Sequence, residues 1–264
     1  GSASAAGGPV AVPSSALASA AVNGDRNGDG VFDNLAAGIA SAPAGATTKV
    51  IVTLDGKASV AAVKALQARV GTFTVGTRFS VIDGFSATVA KSQVAALAAA
   101  PGVAHVEQNR TVSVNNGPGN SAFGVTQARV DLPGITGAGE TAASGGVERG
   151  VAPGATLVGV KVLDSSGSGS YESVIAGVQW VVAHRAQYNI RALNMSLSDS
   201  GCSDGTDALS QAVDQAAAAG IVAVVAAGND GPWPCTIAAP SAAADAITVG
   251  AMGDFSQTGF RVAT

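Results

Sequence analysis

The sequence predicts an α/β fold in which a parallel β-sheet covered by helices is preceded by a small α+β domain. Two observations support this prediction. From residue 150 onward, apolar runs with little polar alternation are separated by stretches of helical periodicity, which is typical of buried parallel strands joined by helices. Between residues 49 and 115, strand and helix patterns follow one another in the order βαββαβ.

The chain therefore divides into three parts. Residues 1–48 form a lead-in that is poor in large apolar side chains and dense in Ala, Gly, Ser and Pro, so we expect it to be mostly extended or mobile. Residues 49–115 form the small domain, and residues 116–264 form the larger, parallel-sheet domain.

The elements of the small domain follow from local patterns. Strands are predicted where β-branched and apolar residues concentrate, and helices where apolar residues recur three or four positions apart. Their order predicts a split αβ sandwich of ferredoxin type, a fold that by itself indicates no function. The predicted strands cover residues 49–54, 72–82, 85–90 and 103–108, and the predicted helices cover residues 59–71 and 91–102.

The larger domain alternates strands and amphipathic helices. Parallel sheets bind their ligands beyond the carboxyl ends of the strands. Asn229 lies at such an end, in the stretch AVVAAGND, where an apolar run stops at a glycine followed by an amide side chain. The predicted strands cover residues 156–163, 190–197, 221–227 and 246–252, and the predicted helices cover residues 171–188 and 205–220.

Composition limits the function classes. A chain of 264 residues that is 47% hydrophobic and 12% charged can bury a substantial core. The net charge of −4 gives no basic footprint for nucleic acid or an anionic membrane, and no run of 18 apolar residues predicts a membrane span. The opening GSASAAGGP is expected to be a mature or tagged end rather than an intact signal peptide. The small residues and two cysteines favour a secreted, extracellular protein.

One island in the lead-in has the pattern of a calcium loop. In DRNGDGVFD, oxygen-bearing groups recur at alternate positions, and a glycine stands where a tight loop around Ca²⁺ needs one. Ala36 stands where a complete calcium hand has its closing glutamate. A plain acidic turn is the alternative. The candidate ligands are Asp25, Asn27, Asp29, Val31 and Asp33.

Several segments together resemble a known family. The stretches RGVAPGATLVGVKVLDSSGSGSYESVIAGVQW, LNMSLS, GTDALSQAVDQAAAAGIVAVVAAGNDGP and AAPSAAADAITVGAM are similar to the catalytic domain of subtilisin-like serine proteases, the subtilases. Residues 49–115 resemble the inhibitory propeptide of that family. The resemblance implies the precursor of a secreted serine endopeptidase, whose partners are protein or peptide substrates and its own propeptide.

The resemblance also assigns site residues. Asn229 matches the asparagine of the family's oxyanion hole, which donates to the carbonyl oxygen that becomes negative during attack. A structural role in capping its loop is the alternative. Two segments match the walls of the substrate cleft, and the family usually has glycine in place of Ser198. The candidate substrate-binding residues are Gly167, Ser168, Gly169, Ser170 and Tyr171 on one wall and Ser196, Leu197 and Ser198 on the other.

The end of the small domain is the candidate inhibitory tail. The stretch RTVSVN alternates as an extended strand does, and propeptides of this family lie along the cleft as a substrate would. We therefore expect residues 111–115 to pair with both cleft walls, which would make Asn115-Asn116 the cleavage bond. An acid such as Glu107 is expected near the N-termini of the covered helices.

Two covalent features are also predicted. Cys202 and Cys235 flank the strand that carries Asn229, and export would favour a disulfide between them over two unrelated thiols. The family resemblance places Pro240 beside the pocket, commonly after a cis peptide bond, so Ala239-Pro240 is predicted to be cis.

The family's catalytic Asp, His and Ser are missing from their expected places. The aspartate is expected where Glu140 is followed directly by Thr141. The histidine is expected just before the stretch that begins at Thr141, and no histidine is there. The serine motif would come after Thr264. His105 and His184 are expected to have structural roles. Either the sequence joins pieces of a longer enzyme, or the protein is a catalytically inactive binding or inhibitor module.

Overall fold

A computed structural model describes residues 22–114, 155–231 and 234–250. Within these ranges, no helix has the length and apolar character needed to cross a membrane. The helices are α1 Asp33–Ser41, α2 Val60–Val70, α3 Val94–Ala98, α4 Tyr171–His184 and α5 Ala208–Ala218, with a 3₁₀ helix at Lys91–Gln93. The strands are β1 Val22–Asn23, β2 Thr47–Leu54, β3 Thr74–Arg78, β4 Gly84–Ala90, β5 Val103–Gln108, β6 Thr111–Val114, β7 Ser168–Ser170, β8 Ala192–Met195, β9 Leu197–Ser198, β10 Cys202–Ser203, β11 Val222–Ala226 and β12 Ile247–Val249.

The small domain is built on an antiparallel sheet in the order β3-β4-β2-β5. Strand β2, one of the two inner strands, is buried at residues 50–54, because the sheet packs against helices α2 and α3 through one apolar cluster. Helix α2 begins where the Ser59 side chain accepts a hydrogen bond from the Ala62 amide, and it buries Val63 and Leu66. This cluster stabilises the sheet, and the candidate inhibitory tail directly follows its strand β5.

The structure of the lead-in differs from the prediction over residues 22–48. This segment contains β1 and α1, and Phe32 and Leu35 are buried against the sheet of the small domain. The Phe32 amide donates to the Val106 carbonyl oxygen at 3.0 Å, which fixes the segment to strand β5. The composition of the lead-in as a whole concealed this, because two large apolar side chains are enough to anchor a short segment.

The larger domain contains a parallel sheet in the order β12-β11-β8, as the alternating pattern predicts. Helices α4 and α5 pack with it through a second apolar cluster. Ser170 caps α4 and Asp207 caps α5. Each side chain accepts a hydrogen bond from the backbone amide three residues later in the chain. The end of β11, and with it Asn229, therefore lies at the carboxyl edge of the sheet, which is where parallel sheets generally bind ligands.

The predicted strand at residues 156–163 is wrong. The structure has no strand there, and Leu157 and Val158 are 56% and 38% exposed. An apolar run indicates burial, whereas a strand also requires a partner for its backbone hydrogen bonds. Only Val162 and Leu163, at the end of this run, are packed against the apolar cluster of the larger domain.

Candidate functional site

Strand β6 lies between the two predicted cleft walls. It pairs antiparallel with β7, where Val112 is opposite Gly169, and antiparallel with β9, where Ser113 is opposite Ser198. The predicted pairing of this tail with both walls is therefore confirmed for residues 111–114. Asn115 and Asn116, the predicted cleavage residues, lie outside the described residues.

The side chains of β6 alternate between the protein interior and solvent. Val112 is fully buried in the same apolar cluster as Tyr171, Ile175 and Leu197, whereas Thr111 and Ser113 are exposed. An extended segment bound here thus places one side chain in an apolar pocket and turns its neighbours outward.

The wall formed by β7 depends on two glycines. Gly167 has a φ of 79°, a backbone conformation that suits glycine, in a turn where the Asp164 amide donates to the Ser168 carbonyl oxygen at 2.7 Å. At Gly169 a Cβ atom would lie 2.6 Å from the carbonyl oxygen of Val162. This close approach is made by the protein's own backbone, so packing within the domain already requires glycine there.

The opposite wall leads to Asn229. Ser196 is exposed, while Leu197 and Ser198 are buried. A Cβ atom built on Gly228 would lie 3.8 Å from Ser198 Oγ, so the loop after β11 passes beside this wall. Asn229, the next residue, is exposed at the carboxyl end of β11.

Asp199, directly after β9, joins three segments and was not singled out from the sequence. Its carboxylate accepts hydrogen bonds from the Tyr171 hydroxyl at 2.6 Å and the Ala239 amide at 3.0 Å, and Arg110 Nη1 lies 2.7 Å from Asp199 Oδ2. Burial raises the pKa of Asp199 to about 6, although the Arg110 charge opposes this rise. The available sequence signal was an acid at the end of a predicted strand.

The Tyr171 hydroxyl also links the lead-in to this carboxylate. The Asn23 side-chain amide donates to the Tyr171 hydroxyl oxygen at 3.0 Å, and the Asn34 amide donates to Asn23 Oδ1 at 3.1 Å. Asn23 and Tyr171 are both fully buried. Burial raises the pKa of Tyr171 well above its ordinary value, so the hydroxyl keeps its proton and serves as a donor to Asp199.

Residues of the small domain contact the N-termini of helices α4 and α5. Glu107 Oε1 accepts a hydrogen bond from the Ala208 amide at 2.7 Å, as predicted for an acid at this place. At the start of α4, Glu172 accepts hydrogen bonds from the Thr77 hydroxyl at 2.6 Å and the Thr77 amide at 3.1 Å. The small domain thus satisfies backbone groups of α5 and pairs with the first turn of α4.

The carboxyl groups of Glu107 and Asp207 are both fully buried. Burial raises the pKa of Glu107 to about 7, and the nearby Asp207 carboxylate acts in the same direction. The neighbouring His105, whose Nε2 is 3.8 Å from Glu107 Oε1, opposes this rise in pKa. The Ser203 hydroxyl donates to Asp207 at 2.5 Å, and burial raises the pKa of Asp207 as well.

The two predicted covalent features are confirmed. Cys202 and Cys235 form a disulfide with their Cα atoms 4.8 Å apart, which is within the usual range. The Ala239-Pro240 peptide bond is cis. The Asp199 amide donates to the Ala239 carbonyl oxygen at 3.1 Å, so the segment before Pro240 is held against the cleft wall.

The candidate calcium loop is closed by its own hydrogen bonds. The Asp25 carboxylate accepts from the amides of Gly28, Asp29 and Gly30, and Asp29 Oδ1 accepts from the Val31 amide at 2.8 Å. Within the ranges that the structure describes, no three His, Cys, Asp or Glu side chains are grouped to hold a metal ion. Calcium would therefore need the Asn27 amide oxygen or backbone carbonyl oxygens alongside the carboxylates.

Comparisons with known proteins agree with this architecture. A family model described as the subtilase family matches residues 82–262. The serine protease AprX of Bacillus subtilis is 44% identical over 131 residues, which cover 44% of this chain and 29% of the relative. Subtilisin DY of Bacillus licheniformis is 45% identical over 105 residues, which cover 39% of this chain and 36% of the relative. The chain thus matches about a third of the length of these relatives.

A solved structure is similar in fold. Fervidolysin from Fervidobacterium pennivorans, a keratinolytic enzyme related to subtilisin, aligns with a TM-score of 0.51. The alignment covers 75% of this chain and 42% of fervidolysin, at 17% sequence identity. At that identity the likeness describes the fold alone.

Proposed function

The chain belongs to the subtilase family, and from that premise we propose that it represents the precursor of a secreted, subtilisin-like serine endopeptidase. Residues 49–115 act as folding aid and inhibitor in this proposal. The observation that carries it is the position of β6, which runs antiparallel between β7 and β9 as an extended substrate strand would.

The contacts of the small domain support an inhibitory role. Beyond β6, Glu107 caps α5, and Thr77 binds the first turn of α4. The Ser80 amide donates to Gln179 Oε1 at 2.7 Å on the same helix. A domain that binds two helices and fills the cleft blocks substrate until it is removed, and cleavage at Asn115-Asn116 would release it.

Asn229 is the proposed oxyanion donor. Its place after β11 and beside the wall at Ser198 supports this role, because the acyl group of a substrate paired with β9 would come to this end of the sheet. The catalytic Asp, His and Ser are assigned to stretches of the parent protease that this sequence does not contain. The second candidate is an inactive binding or inhibitor module, because Glu140 runs directly into Thr141 where the family's aspartate is expected.

The test uses the natural protein from its source organism. Its intact mass should be well above the 25.4 kDa of this sequence, and the processed form should cleave peptides and lose activity with a covalent serine reagent. Its new N-terminus should lie within a residue or two of Asn116. A mass of 25.4 kDa together with no peptide cleavage would support the inactive module instead.

Calcium binding by the loop at residues 25–33 is part of the proposal. The alternating oxygen-bearing side chains and the glycine at position 30 support it. Ca²⁺ should raise the Tm of the chain, and Asp29→Asn should reduce this shift. A Tm that is the same in Ca²⁺ and in chelator would identify the segment as a plain acidic turn.

A further inference from the structure

Arg110 occupies a charged site at the end of the cleft. It directly precedes β6, and its guanidinium contacts the Asp199 carboxylate at 2.7 Å, while Nη2 donates to the Ser200 carbonyl oxygen. Its own carbonyl oxygen accepts a hydrogen bond from the Tyr171 amide at 3.0 Å. Both the side chain and the backbone of Arg110 are therefore recognised by the larger domain.

The larger domain holds this site without help from Arg110. The Tyr171 hydroxyl and the Ala239 amide each donate to the Asp199 carboxylate, and the Asp199 amide donates to the Ala239 carbonyl oxygen. These groups orient the carboxylate from within residues 155–250. A chain that replaces residues 110–114 would therefore meet the same carboxylate in the same direction.

The charge of this site must be neutralised by whatever occupies the cleft. The Asp199 side chain is 1% exposed and that of Arg110 is 17% exposed, so the pair is largely shielded from water. A shielded carboxylate that loses its cationic partner is costly, whereas a charge-assisted hydrogen bond to it is strong. An acidic side chain at this position would add repulsion to that cost.

We propose that Asp199 forms a substrate subsite selective for arginine or lysine, at the position that Arg110 occupies, five residues before Asn115. The inference rests on the proposed protease function, because it treats β6 as a guide to how substrates bind. Two substrate side chains would be recognised on this side of the cleft. The apolar pocket around Val112 takes a hydrophobic side chain, and Asp199 takes a basic side chain two residues earlier.

The test compares three peptides on the mature natural protease. One carries the native stretch RTVSVN followed by a fluorogenic leaving group, and the others carry Gln or Glu in place of the arginine. We expect kcat/KM to be about tenfold higher for the arginine peptide than for the glutamine peptide, and lowest for the glutamate peptide. This comparison needs no protein variant.

A protein variant then assigns the preference to Asp199. Asp199→Asn should bring the ratio of kcat/KM for the arginine and glutamine peptides close to one. Asp204→Asn is the matched control, since it makes the same substitution at an aspartate whose carboxylate accepts hydrogen bonds from Thr206 instead. The ratio should stay near tenfold in that control.

The outcomes separate the two proposals. Equal cleavage of the arginine and glutamine peptides would overturn the subsite and leave the protease function intact. A preference for arginine that survives in Asp199→Asn would also overturn it. No cleavage of any peptide would overturn the protease function, and the subsite inference with it.

Discussion

Glu107 closes the N-terminus of α5 from a different part of the chain. Its carboxylate is fully buried and accepts the Ala208 amide, while Asp207 caps the same helix locally. Two buried carboxylates at one helix end are favourable toward the helix dipole but repel each other when both are ionised. Protonation of Glu107 therefore removes the repulsion between these two carboxylates.

This arrangement predicts a pH-dependent stability. The pKa of Glu107 is about 7 in the folded chain and 4.5 ordinarily. Between these values the folded state holds a proton that the unfolded state releases, so this contribution is complete below about pH 4.5 and is lost as the pH rises through 7. The Tm of the chain should fall between pH 5 and pH 8, and the fall should be smaller in Glu107→Gln.

Glu107→Gln is a suitable change because its side-chain oxygen can still accept the Ala208 amide. The exposed Asp55→Asn serves as the control and should keep the full pH dependence. The pKa of Asp199 is also raised, to about 6, so Asp199 also makes the Tm fall as the pH rises, and it does so in both variants. Identical pH profiles for Glu107→Gln and the unmodified chain would contradict the role of Glu107.

Asn229 gives the second prediction at the level of a single residue. In the mature protease that we propose, Asn229→Ala should lower kcat by about two to three powers of ten and leave KM nearly unchanged, because the proposed oxyanion donor would act mainly on the transition state. Steady-state kinetics on a peptide substrate measures both constants. The exposed Gln187→Ala, which also removes a side-chain amide, should leave kcat unchanged. An equal loss in the two variants would reject the assignment.

At the scale of elements, the sequence predicts best where burial and periodicity agree. Strands β2, β4 and β5 and helix α2 lie where their apolar patterns predict them, to within about two residues. Residues 156–163 have the apolar pattern but no strand, because the pattern does not report hydrogen-bond partners. Helix α1 was missed because the composition around it is dominated by small residues.

The site shows the same limit. The cleft walls and Asn229 came from a resemblance that local segments carry, so they could be assigned from the sequence. The contact between Arg110 and Asp199 joins residues far apart in the chain, and no local motif indicates that these two side chains pair. Contacts of this kind depend on how β6 enters the cleft, which is a property of the tertiary structure.

The buried side chain of Val112 is expected to hold strand β6 in the cleft. Val112→Asp places a carboxylate among Tyr171, Ile175 and Leu197, and an unpaired buried charge costs about 3 kcal/mol or more. The strand should leave the cleft, so hydrogen exchange of the β6 and β7 amides should accelerate and the Tm should fall. Thr111→Asp, on the exposed face of the same strand, should change neither by much. Unchanged amide protection in Val112→Asp would show that this side chain does not hold the strand.

At the scale of the whole molecule, one hydrogen-bond chain joins all three parts of the sequence. It runs from Asn34 through Asn23 to the Tyr171 hydroxyl, and from there to Asp199, which also binds Arg110. Strand β1 adds a parallel backbone contact to β10, beside the disulfide at Cys202. The lead-in is thus fixed to the larger domain directly, and not only through the sheet of the small domain.

Tyr171→Phe tests this chain because it removes only the central hydroxyl. The change leaves the buried Asn23 amide without its acceptor and takes a donor from Asp199, so the free energy of unfolding should fall by about 1–3 kcal/mol. Asn23→Ala should then cost less in the Tyr171→Phe background than alone, by about 1 kcal/mol, because the two groups share one interaction. Denaturant unfolding of the four proteins measures this coupling.

Tyr188→Phe is the matched control, since Tyr188 is 48% exposed and should show no coupling with Asn23. Strictly additive losses for Asn23 and Tyr171 would mean that the lead-in is held to the larger domain by its backbone contacts alone.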